Sequence, residues 1–441
     1  MQLAGTETLV VGLGKSGVAS VELLLKHGAR VRTTDRRPEA AEAARHLGVE
    51  FRLQTPEVFE GAELIVISPG VPADLAPLEA ARARGATVIG EVELAAPFLK
   101  GEVIGITGSN GKTTVTALTS HILKESGVPV QVGGNIGAPV AGMVDSSREG
   151  QWNVLELSSF QLETIRTFRA HIGVALNVTP DHLDRHHTFE NYAAAKARLF
   201  ETQRADDFAV LNADDAVASA YARSGPAAVR WFSLARAARP GAWLENGRLF
   251  LEGEELMPAS DLPIRGRHNI ENALAAAVAA NLAGAAPAAI AAAMRTFRAV
   301  EHRLEFVRRV NGVDFYNDSK ATNVDATLKA LESFEGGLWV ILGGKDKGSD
   351  YTVMRDPLRR KAHAGLLIGA AAAKIRSHLG GALPLVDCGT LDEAVRHAWA
   401  HARPGDTVLL APACASFDQF ESYEHRGRVF KDLVGRLEEK P

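Results

Sequence analysis

Short apolar runs alternate with longer stretches of helical spacing from the start of the chain. The first such runs are LVVGLG, ARVRTTD, LIVISPG and ATVIGE. Strands that alternate with helices are typical of a parallel sheet with crossover helices. The pattern therefore predicts an α/β domain at the N-terminus.

The alternation restarts twice. VIGIT, NVLEL, HIGVALNVT and FAVLNADD form a second series, and FYNDSK, LWVILGG, GLLIG and TVLLAPA form a third beyond RAVEHRLEF. A chain of 441 residues also exceeds the length at which a single core stops growing. We predict three α/β domains: a Rossmann-like domain at 1–94, a P-loop-type, mononucleotide-binding, parallel-sheet domain at 95–299, and a second Rossmann-like domain at 300–441.

Residues 272–294 are long and apolar enough to resemble a membrane span. They are mostly alanine, however, and they include Asn281 and Pro287. We therefore predict two consecutive packed helices here and no membrane span.

Composition narrows the class of protein. Hydrophobic residues make up 46% of the chain and charged residues 23%, as in an ordinary globular protein, and the formal charge of −4 gives no sign of a nucleic-acid partner. The two cysteines, Cys388 and Cys414, lack zinc-ligand spacing, and the N-terminus lacks the pattern of a secretory signal. We expect a cytoplasmic protein without disulfides.

The first candidate site is the loop GLGKSG, in which Gly12, Gly14 and Gly17 fit the pattern G-x-G-x-x-G between a strand and a helix. Asp35 lies 18 positions after Gly17, at the end of the next strand, where a ribose hydroxyl is usually bound. Glycine lets the backbone approach a diphosphate at a helix N-terminus. The motif alone leaves open NAD, a UDP-sugar, or a tight turn without a ligand.

The second candidate site is ITGSNGKTT at 106–114. It departs from the general phosphate-loop pattern because Ile106 stands where the first glycine is expected. Gly108 and Gly111 free backbone amides for phosphate oxygens, Lys112 adds positive charge, and Thr113 can place a hydroxyl on Mg²⁺. We predict that this loop holds the phosphates of ATP.

Acidic and imidazole groups follow two strands of the same domain. Glu156 ends the strand NVLE and suits magnesium, while His182, in PDHLDRHH, could bind a second metal such as manganese or orient a substrate. The alternative for Asp181, His182, Asp184, His186 and His187 is a solvated polar loop. Lys196, inside NYAAAKARLF, is interpreted from its surroundings as a surface lysine.

The third domain carries the polar motifs EHRLEF, NDSKATN, GGKDKG and PACASFDQF near strand ends or turns. Lys320, Lys345 and Lys347, with Arg303 and Ser416, would suit an acidic second substrate or the phosphates of ATP. Together these motifs favour a lid that closes over the central site and excludes water.

At this point the chain resembles the Mur ligases, the ATP-dependent amino-acid-adding enzymes of peptidoglycan synthesis. The resemblance spans essentially the whole chain and rests on eight motifs in order: ITGSNGKTT, GGNIG, LELSSFQLE, NVTPDHLDRH, HNIENALAA, EHRLE, NDSKATN and PACASFDQF. LELSSFQLE and PACASFDQF favour addition of D-glutamate over addition of L-alanine or a diamino acid, and over folate polyglutamylation.

The resemblance implies a reaction in two steps. The carboxylate of UDP-N-acetylmuramoyl-L-alanine attacks the γ-phosphate of ATP to give an acyl phosphate, and the amine of D-glutamate then displaces phosphate. Metal ions and lysines would stabilise the charge that develops in both steps. It also implies a monomer whose substrates are these three small molecules.

The resemblance further implies roles for single residues. Two Mg²⁺ ions would be held, one by Thr113 and Glu156 and the other by His182 and a carbamylated Lys196, with Mn²⁺ as a possible replacement. Lys112, Glu156, His182 and Lys196 would be the catalytic residues. ATP would contact Gly108, Ser109, Asn110, Gly111, Lys112, Thr113, Thr114, Asn269, Asn272, Arg303 and Asp318.

The two other substrates would have sites of their own. The UDP-sugar would contact Gly14, Lys15, Ser16, Asp35, Arg36, Ser68, Gly70, Asn135, Ser158 and His182. D-Glutamate would contact Lys320, Thr322, Lys347, Ser416, Phe417 and Tyr423. This chain departs from the family pattern at Tyr423, where phenylalanine is usual, and at Lys345–Asp346, which replaces a less charged pair.

Two other functions compete with the ligase. A nicotinamide dehydrogenase would use GLGKSG but would leave the ATP loop and the third domain without a role. A nucleotide-gated binding module would bind ATP and release no phosphate with any combination of substrates.

Overall fold

The N-terminal sheet contains five parallel strands in the spatial order β3-β2-β1-β4-β5. The computed structural model describes residues 2–264, 266–298 and 301–438. The strands are β1 Glu7–Val11, β2 Arg30–Asp35, β3 Glu50–Leu53, β4 Leu64–Ile67 and β5 Thr87–Gly90. The helices are α1 Lys15–Lys26, α2 Ala40–His46, α3 Ala76–Ala83 and α4 Glu91–Ala95. The strand order reverses at β1, so the loop after β1 lies at the topological switch point, where such sheets bind ligands.

The central sheet has nine strands in the order β14-β13-β12-β11-β10-β9-β6-β8-β7. They are β6 Glu102–Thr107, β7 Val130–Gly134, β8 Trp152–Glu156, β9 Ile172–Ala175, β10 Phe208–Asn212, β11 Ala228–Ser233, β12 Gly241–Glu245, β13 Arg248–Leu251 and β14 Glu254–Pro258. The helices are α5 Lys112–Glu125, α6 Val140–Met143, α7 Ser159–Leu162, α8 Leu183–His186, α9 Phe189–Glu201, α10 Ala216–Ala220, α11 Arg267–Leu282 and α12 Pro287–Thr296. Because β6 lies between β8 and β9, the carboxyl ends of these three strands meet at one edge of the sheet.

The C-terminal sheet has six strands in the order β15-β16-β20-β17-β18-β19. They are β15 Glu305–Val310, β16 Val313–Asn317, β17 Leu338–Gly343, β18 Ala362–Ile368, β19 Leu385–Gly389 and β20 Thr407–Leu410. The helices are α13 Val324–Glu332, α14 Arg355–Lys361, α15 Ala372–Leu379, α16 Leu391–His401 and α17 Tyr423–Gly435. β15 pairs antiparallel with β16, and the other pairs are parallel.

The chain forms two compact units. The first contains residues 1–261 and 271–295, and the second contains residues 262–270 and 296–441. The domain boundary near residue 95 stays a prediction, and the boundary at 299 and 300 lies outside the described residues. Within the first unit, one hydrophobic cluster includes Val10 of β1, Val92 of α4, Leu155 of β8 and Leu199 of α9.

The three α/β series are confirmed, with one difference in the central sheet. β12, β13 and β14 pair antiparallel at its edge, whereas a purely parallel sheet was expected. The reason is turn chemistry: Asn246 and Gly247 both take positive φ between β12 and β13, and two such residues form the tight turn that joins antiparallel strands.

The alanine-rich stretch forms α11 and α12, which end and begin on either side of residues 283–286, as predicted. Among the described residues, no helix is both long enough and apolar enough to cross a membrane.

Candidate active site

The first glycine loop joins β1 to α1, which begins at Lys15. A Cβ at Gly17 would lie 1.9 Å from the carbonyl oxygen of Gly12, so only glycine allows the helix to pack against the loop at this point. A Cβ at Gly14 would have no neighbour within 4 Å. The loop is therefore closed behind Gly17 and open at Gly14, where a diphosphate could approach the backbone.

Asp35 holds this loop in place. Its buried carboxylate accepts a hydrogen bond from the Leu13 amide at 2.8 Å and pairs with Arg37 at 3.1 Å. Burial acts to raise the pKa of Asp35, but Arg37 and the backbone amides outweigh it and lower the pKa. The carboxylate is thus ionised and partly engaged by the loop itself, and its contact with a ribose stays a prediction.

The other predicted UDP-sugar contacts lie mostly at the surface of the first unit. Ser68 donates to the carbonyl of Gly12 at 2.7 Å. Lys15, Arg36 and Gly70 are exposed, and Ser16 is half-buried. Ser68 is thus placed at the loop by a direct contact.

The second loop, between β6 and α5, is braced from β9 and α9. The side-chain oxygen of Asn177 accepts from the Asn110 amide at 2.9 Å, and the hydroxyls of Ser109 and Tyr192 lie 3.0 Å apart. Lys112 donates to the carbonyls of Gly108 and Ser109 at 2.8 and 2.9 Å. On the other side, a Cβ at Gly111 would lie 2.3 Å from the side-chain oxygen of Asn272, which places Asn272 against the loop.

Glu156 joins the second loop to the strand beside it. Thr113 donates its hydroxyl hydrogen to Oε2 at 2.7 Å, and Asn135 donates to Oε1 at 2.8 Å. The Glu156 side chain is buried, and no cation lies within salt-bridge distance of it among the described residues. A hydroxyl beside a buried carboxylate without a cation is a donor set that fits Mg²⁺.

Lys196 is not at the surface, so the interpretation drawn from its neighbours was wrong. The side chain is buried, its Nζ donates to the carbonyl of Gly108 at 2.9 Å, and it lies 4.4 Å from the ring centroid of Tyr192. Burial, together with the charge of Lys112, lowers the pKa of Lys196 well below its usual value, although Asp181 and Glu156 act in the opposite direction. Tyr192 and Lys196 are four residues apart, so both lie on the inner face of α9.

The polar segment after β9 is only partly solvated. His182 has positive φ, contacts the Phe160 ring at 4.9 Å between centroids, and has its Nε2 3.7 Å from Asp181 Oδ2. His186 is buried against Ser159 and Glu163, and burial lowers its pKa to about 4. Asp184 and His187 are exposed. The solvated-loop interpretation is thus wrong for His186 and right for these two.

Arg185 links this segment to the first glycine loop. It pairs with Glu163 at 2.7 Å and donates to the carbonyl of Val71 at 3.0 Å. A Cβ at Gly12 would lie 3.1 Å from Val71, so Val71 packs against the loop. The end of β4 is therefore shared by the first glycine loop and the segment that carries His182.

Ser158 caps α7 in the same region by accepting from the Gln161 amide.

The second unit places several predicted nucleotide contacts near one another. A cavity of about 490 Å³ is lined by Pro263, Ile264, Asn269, Arg303, Leu304, Phe306, Arg309, Asp314 and Tyr316. Asp318 is buried beside it and accepts from the Leu304 amide at 3.3 Å. Burial raises the pKa of Asp318 to about 6, although Arg303 acts to lower it.

The EHRLEF motif of the second unit also brings Glu301, His302 and Glu305 together. One potential metal-ligating atom from each lies within 4.8 Å of the others. Lys431 pairs with both acids, and Asn317 donates to Nδ1 of His302 at 2.9 Å. These protein partners already satisfy the cluster, and it needs no ion to explain it.

The residues predicted to bind D-glutamate lie on loops of the second unit. Lys320 and Thr322 follow β16, Ser416 and Phe417 follow β20, and Lys347 follows β17. These three strands are neighbours, so the loops share one edge of the sheet. Tyr423 begins α17, and its hydroxyl lies 3.1 Å from Nζ of Lys320. Phe417 is 68% exposed, which is unusual for phenylalanine.

The unusual pair Lys345–Asp346 has a structural explanation. Asp346 accepts from the Tyr351 hydroxyl at 2.6 Å and from Lys374 at 2.7 Å. Burial acts to raise the pKa of Asp346, but these donors and nearby backbone amides lower it to about 2. The carboxylate therefore fixes the loop that carries Lys347.

Sequence reasoning missed Asn177, Tyr192 and Arg426. Asn177 lies near the end of the predicted strand HIGVALNVT and could have been found as a polar residue at the carboxyl end of that strand. Tyr192 could have been found from its spacing to Lys196. Arg426, on α17, has no local signal, because it donates to Ser319 and Cys414 on the loops after β16 and β20.

Three parts of the chain match descriptions of a single family. Residues 6–90 match the Mur ligase MurD-like N-terminal domain, residues 106–280 match the Mur ligase middle domain, and residues 302–414 match the Mur ligase glutamate ligase domain.

Full-length relatives carry one name. The chain is 68% identical over 441 residues to UDP-N-acetylmuramoylalanine–D-glutamate ligase of Solibacter usitatus, with 100% of both chains covered. It is 53% identical to the protein of the same name from Acidobacterium capsulatum, over 98% of this chain and 97% of that one.

Solved structures share the fold. A pseudomurein peptide ligase type C from Methanothermus fervidus gives a TM-score of 0.64 at 20% identity, with 98% of this chain and 100% of that chain covered. A UDP-N-acetylmuramate–alanine ligase from Thermotoga maritima gives 0.61 at 20% identity, with 97% and 99% covered.

Proposed function

The chain belongs to the Mur ligase family, and we propose that it joins D-glutamate to UDP-N-acetylmuramoyl-L-alanine with hydrolysis of ATP, in peptidoglycan precursor synthesis. The 68% identical relative has the name of this activity. The single observation in the structure that supports it most is the convergence of Lys112 and the buried Lys196 on the loop 108–114. A dehydrogenase would have no use for this site.

The chemistry begins at a carboxylate, which is a poor electrophile. In the first step an oxygen of the L-alanyl carboxylate attacks the γ-phosphorus of ATP, and ADP leaves. In the second step the D-glutamate nitrogen attacks the acyl carbon, the bond to the phosphate oxygen breaks, and inorganic phosphate leaves as the nitrogen loses a proton. The amide is thereby formed at the cost of one phosphoanhydride bond.

Lys112 is assigned to the β and γ phosphates. It lies at the start of α5, where backbone amides and the helix dipole also favour anions. Its partners include two loop carbonyls, which are weaker acceptors for a cation than phosphate oxygens are. We therefore propose that the Lys112 ammonium exchanges these carbonyls for the phosphate oxygens when ATP binds.

Thr113 and Glu156 would hold one Mg²⁺, as their adjacent oxygens suggest. A second ion at His182 and Lys196 is also part of the proposal, with Lys196 as its carbamate. Bound ions would neutralise phosphate charge and polarise the oxygens that react. The buried amine of Lys196 beside Gly108 supports this assignment, because a carbamate would turn a costly buried cation into a metal ligand.

The remaining assignments follow the two units. The first glycine loop is assigned to the UDP diphosphate, supported by the open backbone at Gly14. Asn269, Arg303 and Asp318 are assigned to the nucleoside part of ATP, supported by the cavity they line or adjoin. The lid role of residues 300–441, a monomeric state and a cytoplasmic location stay proposals.

The function is tested by phosphate release from ATP in the presence of UDP-N-acetylmuramoyl-L-alanine. D-Glutamate, L-glutamate, L-alanine and meso-diaminopimelate are compared as acceptors. Release with D-glutamate alone supports the proposal. Release with another amino acid would overturn the acceptor, and no release with any of them would leave a nucleotide-binding module.

A further inference from the structure

Arg426, on α17, is a buried charge that forms no direct salt bridge among the described residues, although the charge of Asp418 acts on it from a greater distance. Its side chain has 0% exposure, and no carboxylate oxygen lies within 4 Å of it among the residues described. Taking a guanidinium out of water costs several kcal/mol unless its donors are satisfied. Burial lowers the pKa of Arg426, but only to about 10, so the group stays charged at neutral pH. The cost of burying this charge must be offset by its hydrogen bonds, and its presence suggests a role beyond stability.

The donors of Arg426 join two loops. Nε donates to the hydroxyl of Ser319 at 2.9 Å, and Nη2 donates to the Ser319 carbonyl at 2.8 Å. Nη1 and Nη2 both donate to the carbonyl of Cys414 at 3.2 Å. The Ser319 hydroxyl in turn donates to the carbonyl of Tyr423, one turn earlier in the same helix. One planar fork therefore fixes the backbone just before Lys320 and just before Ser416.

A third loop is attached to the same point. The amide of Lys345 donates to the carbonyl of Ala415 at 2.8 Å, and the amide of Ala415 donates back at 3.1 Å. Ala415 directly follows Cys414, so the loop that carries Lys347 is held to the segment that Arg426 anchors. Arg426 thus joins the loops that carry Lys320 and Ser416 directly, and the loop that carries Lys347 is joined to them through Ala415.

We propose that Arg426 is the positioning residue of the acceptor amino-acid site: it sets the relative placement of Lys320, Ser416 and Lys347. This inference rests on the proposed function. It assigns no contact between Arg426 and the substrate, because the side chain is buried beneath the loops.

Lysine is not an adequate replacement. Its ammonium keeps the charge but cannot reach two carbonyls and a hydroxyl with the fixed geometry of the fork. Arg426→Lys should therefore loosen the junction while avoiding a buried hole of the size that alanine would leave. Arg428→Lys is the matched control, because Arg428 is exposed on the same helix two residues away.

The experiment measures kcat, the KM for each of the three substrates, and the melting temperature for the full-length wild type, Arg426→Lys and Arg428→Lys. We expect Arg426→Lys to raise the KM for D-glutamate at least tenfold while the KM values for ATP and the UDP-sugar change less than threefold. Arg428→Lys should match the wild type. An unchanged KM for D-glutamate in folded Arg426→Lys, or equal changes in all three KM values, would overturn the inference.

A second variant covers the case in which Arg426→Lys does not fold. Ser319→Ala removes one acceptor and leaves the guanidinium in place, and we expect a smaller, three- to fivefold rise in the KM for D-glutamate alone. No rise in that variant would overturn the inference. Failure of the proposed function is a separate result, since the wild type would then release no phosphate with D-glutamate.

Discussion

The side-chain nitrogens of Lys112 and Lys196 both donate to the carbonyl oxygen of Gly108, at 2.8 and 2.9 Å. Two amines that share one acceptor repel each other when both are charged, and burial already disfavours the charge on Lys196. The arrangement is consistent with the proposed division of roles, in which Lys112 is the cation that contacts phosphate and Lys196 is the amine that is carbamylated.

Lys112→Ala should lower kcat/KM at least a hundredfold, because a cation aimed at the transferred phosphoryl group contributes about 3 kcal/mol or more to the transition state. Binding of the UDP-sugar should stay within a few fold, since its assigned loop follows a different sheet. Steady-state kinetics and calorimetric titration check both parts. Lys124→Ala, at the exposed end of α5, is the control. Loss of UDP-sugar binding in Lys112→Ala would refute the assignment of separate sites.

Lys196→Ala should lose most activity, at least a hundredfold, and regain part of it when formate or acetate is added. The small carboxylate would occupy the space of the missing carbamate and supply its oxygens. Phosphate release at increasing formate concentration measures the recovery, with Lys112→Ala as the variant that should not respond. If formate does not rescue Lys196→Ala, carbamylation is unsupported.

Gly14→Ala should impair binding of the UDP-sugar, whereas Gly17→Ala should lower the stability of the fold. Gly14 has ordinary φ and an open Cβ direction, so alanine should change stability by less than about 0.5 kcal/mol while obstructing the UDP-sugar. At Gly17 the added methyl would meet the Gly12 carbonyl, so alanine should cost about 3 kcal/mol. Denaturant unfolding and UDP-sugar titration distinguish them. Equal stability of the two variants would contradict the packing described for this loop.

Glu91 should make stability fall as the pH rises from about 4.5 to 7. Burial raises its pKa to about 7, although the Ala141 and Val140 amides act to lower it, and one of its oxygens has no partner among the described residues. Between these pH values the folded state binds a proton that the unfolded state has lost, so the free energy of unfolding decreases, by about 3 kcal/mol in all.

Glu91→Gln should remove most of that decrease and should be more stable than the wild type at pH 8. Unfolding in urea at pH 5, 6, 7 and 8 provides the test, with exposed Glu149→Gln as the matched control. Glu93 does not interfere, because its pKa is lowered and its contribution is already complete above about pH 4.5. A parallel pH dependence in Glu91→Gln and the wild type would rule out Glu91 as the source.

Sequence periodicity predicted the strands that carry the site, because buried parallel strands such as Leu64–Ile67 are continuous apolar runs. It missed Glu50–Leu53 and Val130–Gly134, whose residues are mostly half-buried or exposed and therefore lack that pattern. Both strands lie at the edges of their sheets.

Some residues of the candidate site could be predicted from the sequence, and others could not. The glycine loops can be recognised from the local sequence, because the spacing of their glycines follows from the turn that the backbone must form. The role of Lys196 could not be predicted from its neighbours, because its burial depends on α9 packing against the loop after β6. In the sequence, only the family resemblance corrected the surface interpretation. Arg426 was missed for a similar reason, because its partners Ser319 and Cys414 lie on two separate loops, and Ser319 is 107 residues away along the chain.

Activation of the substrate carboxylate by ATP can be tested by following the oxygen atoms of that carboxylate. UDP-N-acetylmuramoyl-L-alanine labelled with ¹⁸O in its terminal carboxylate is incubated with ATP and D-glutamate, and the released phosphate is examined by mass spectrometry. If an acyl phosphate forms, each phosphate released carries one ¹⁸O atom. Unlabelled phosphate alongside amide product would contradict an acyl phosphate and, with it, the mechanism proposed for this site.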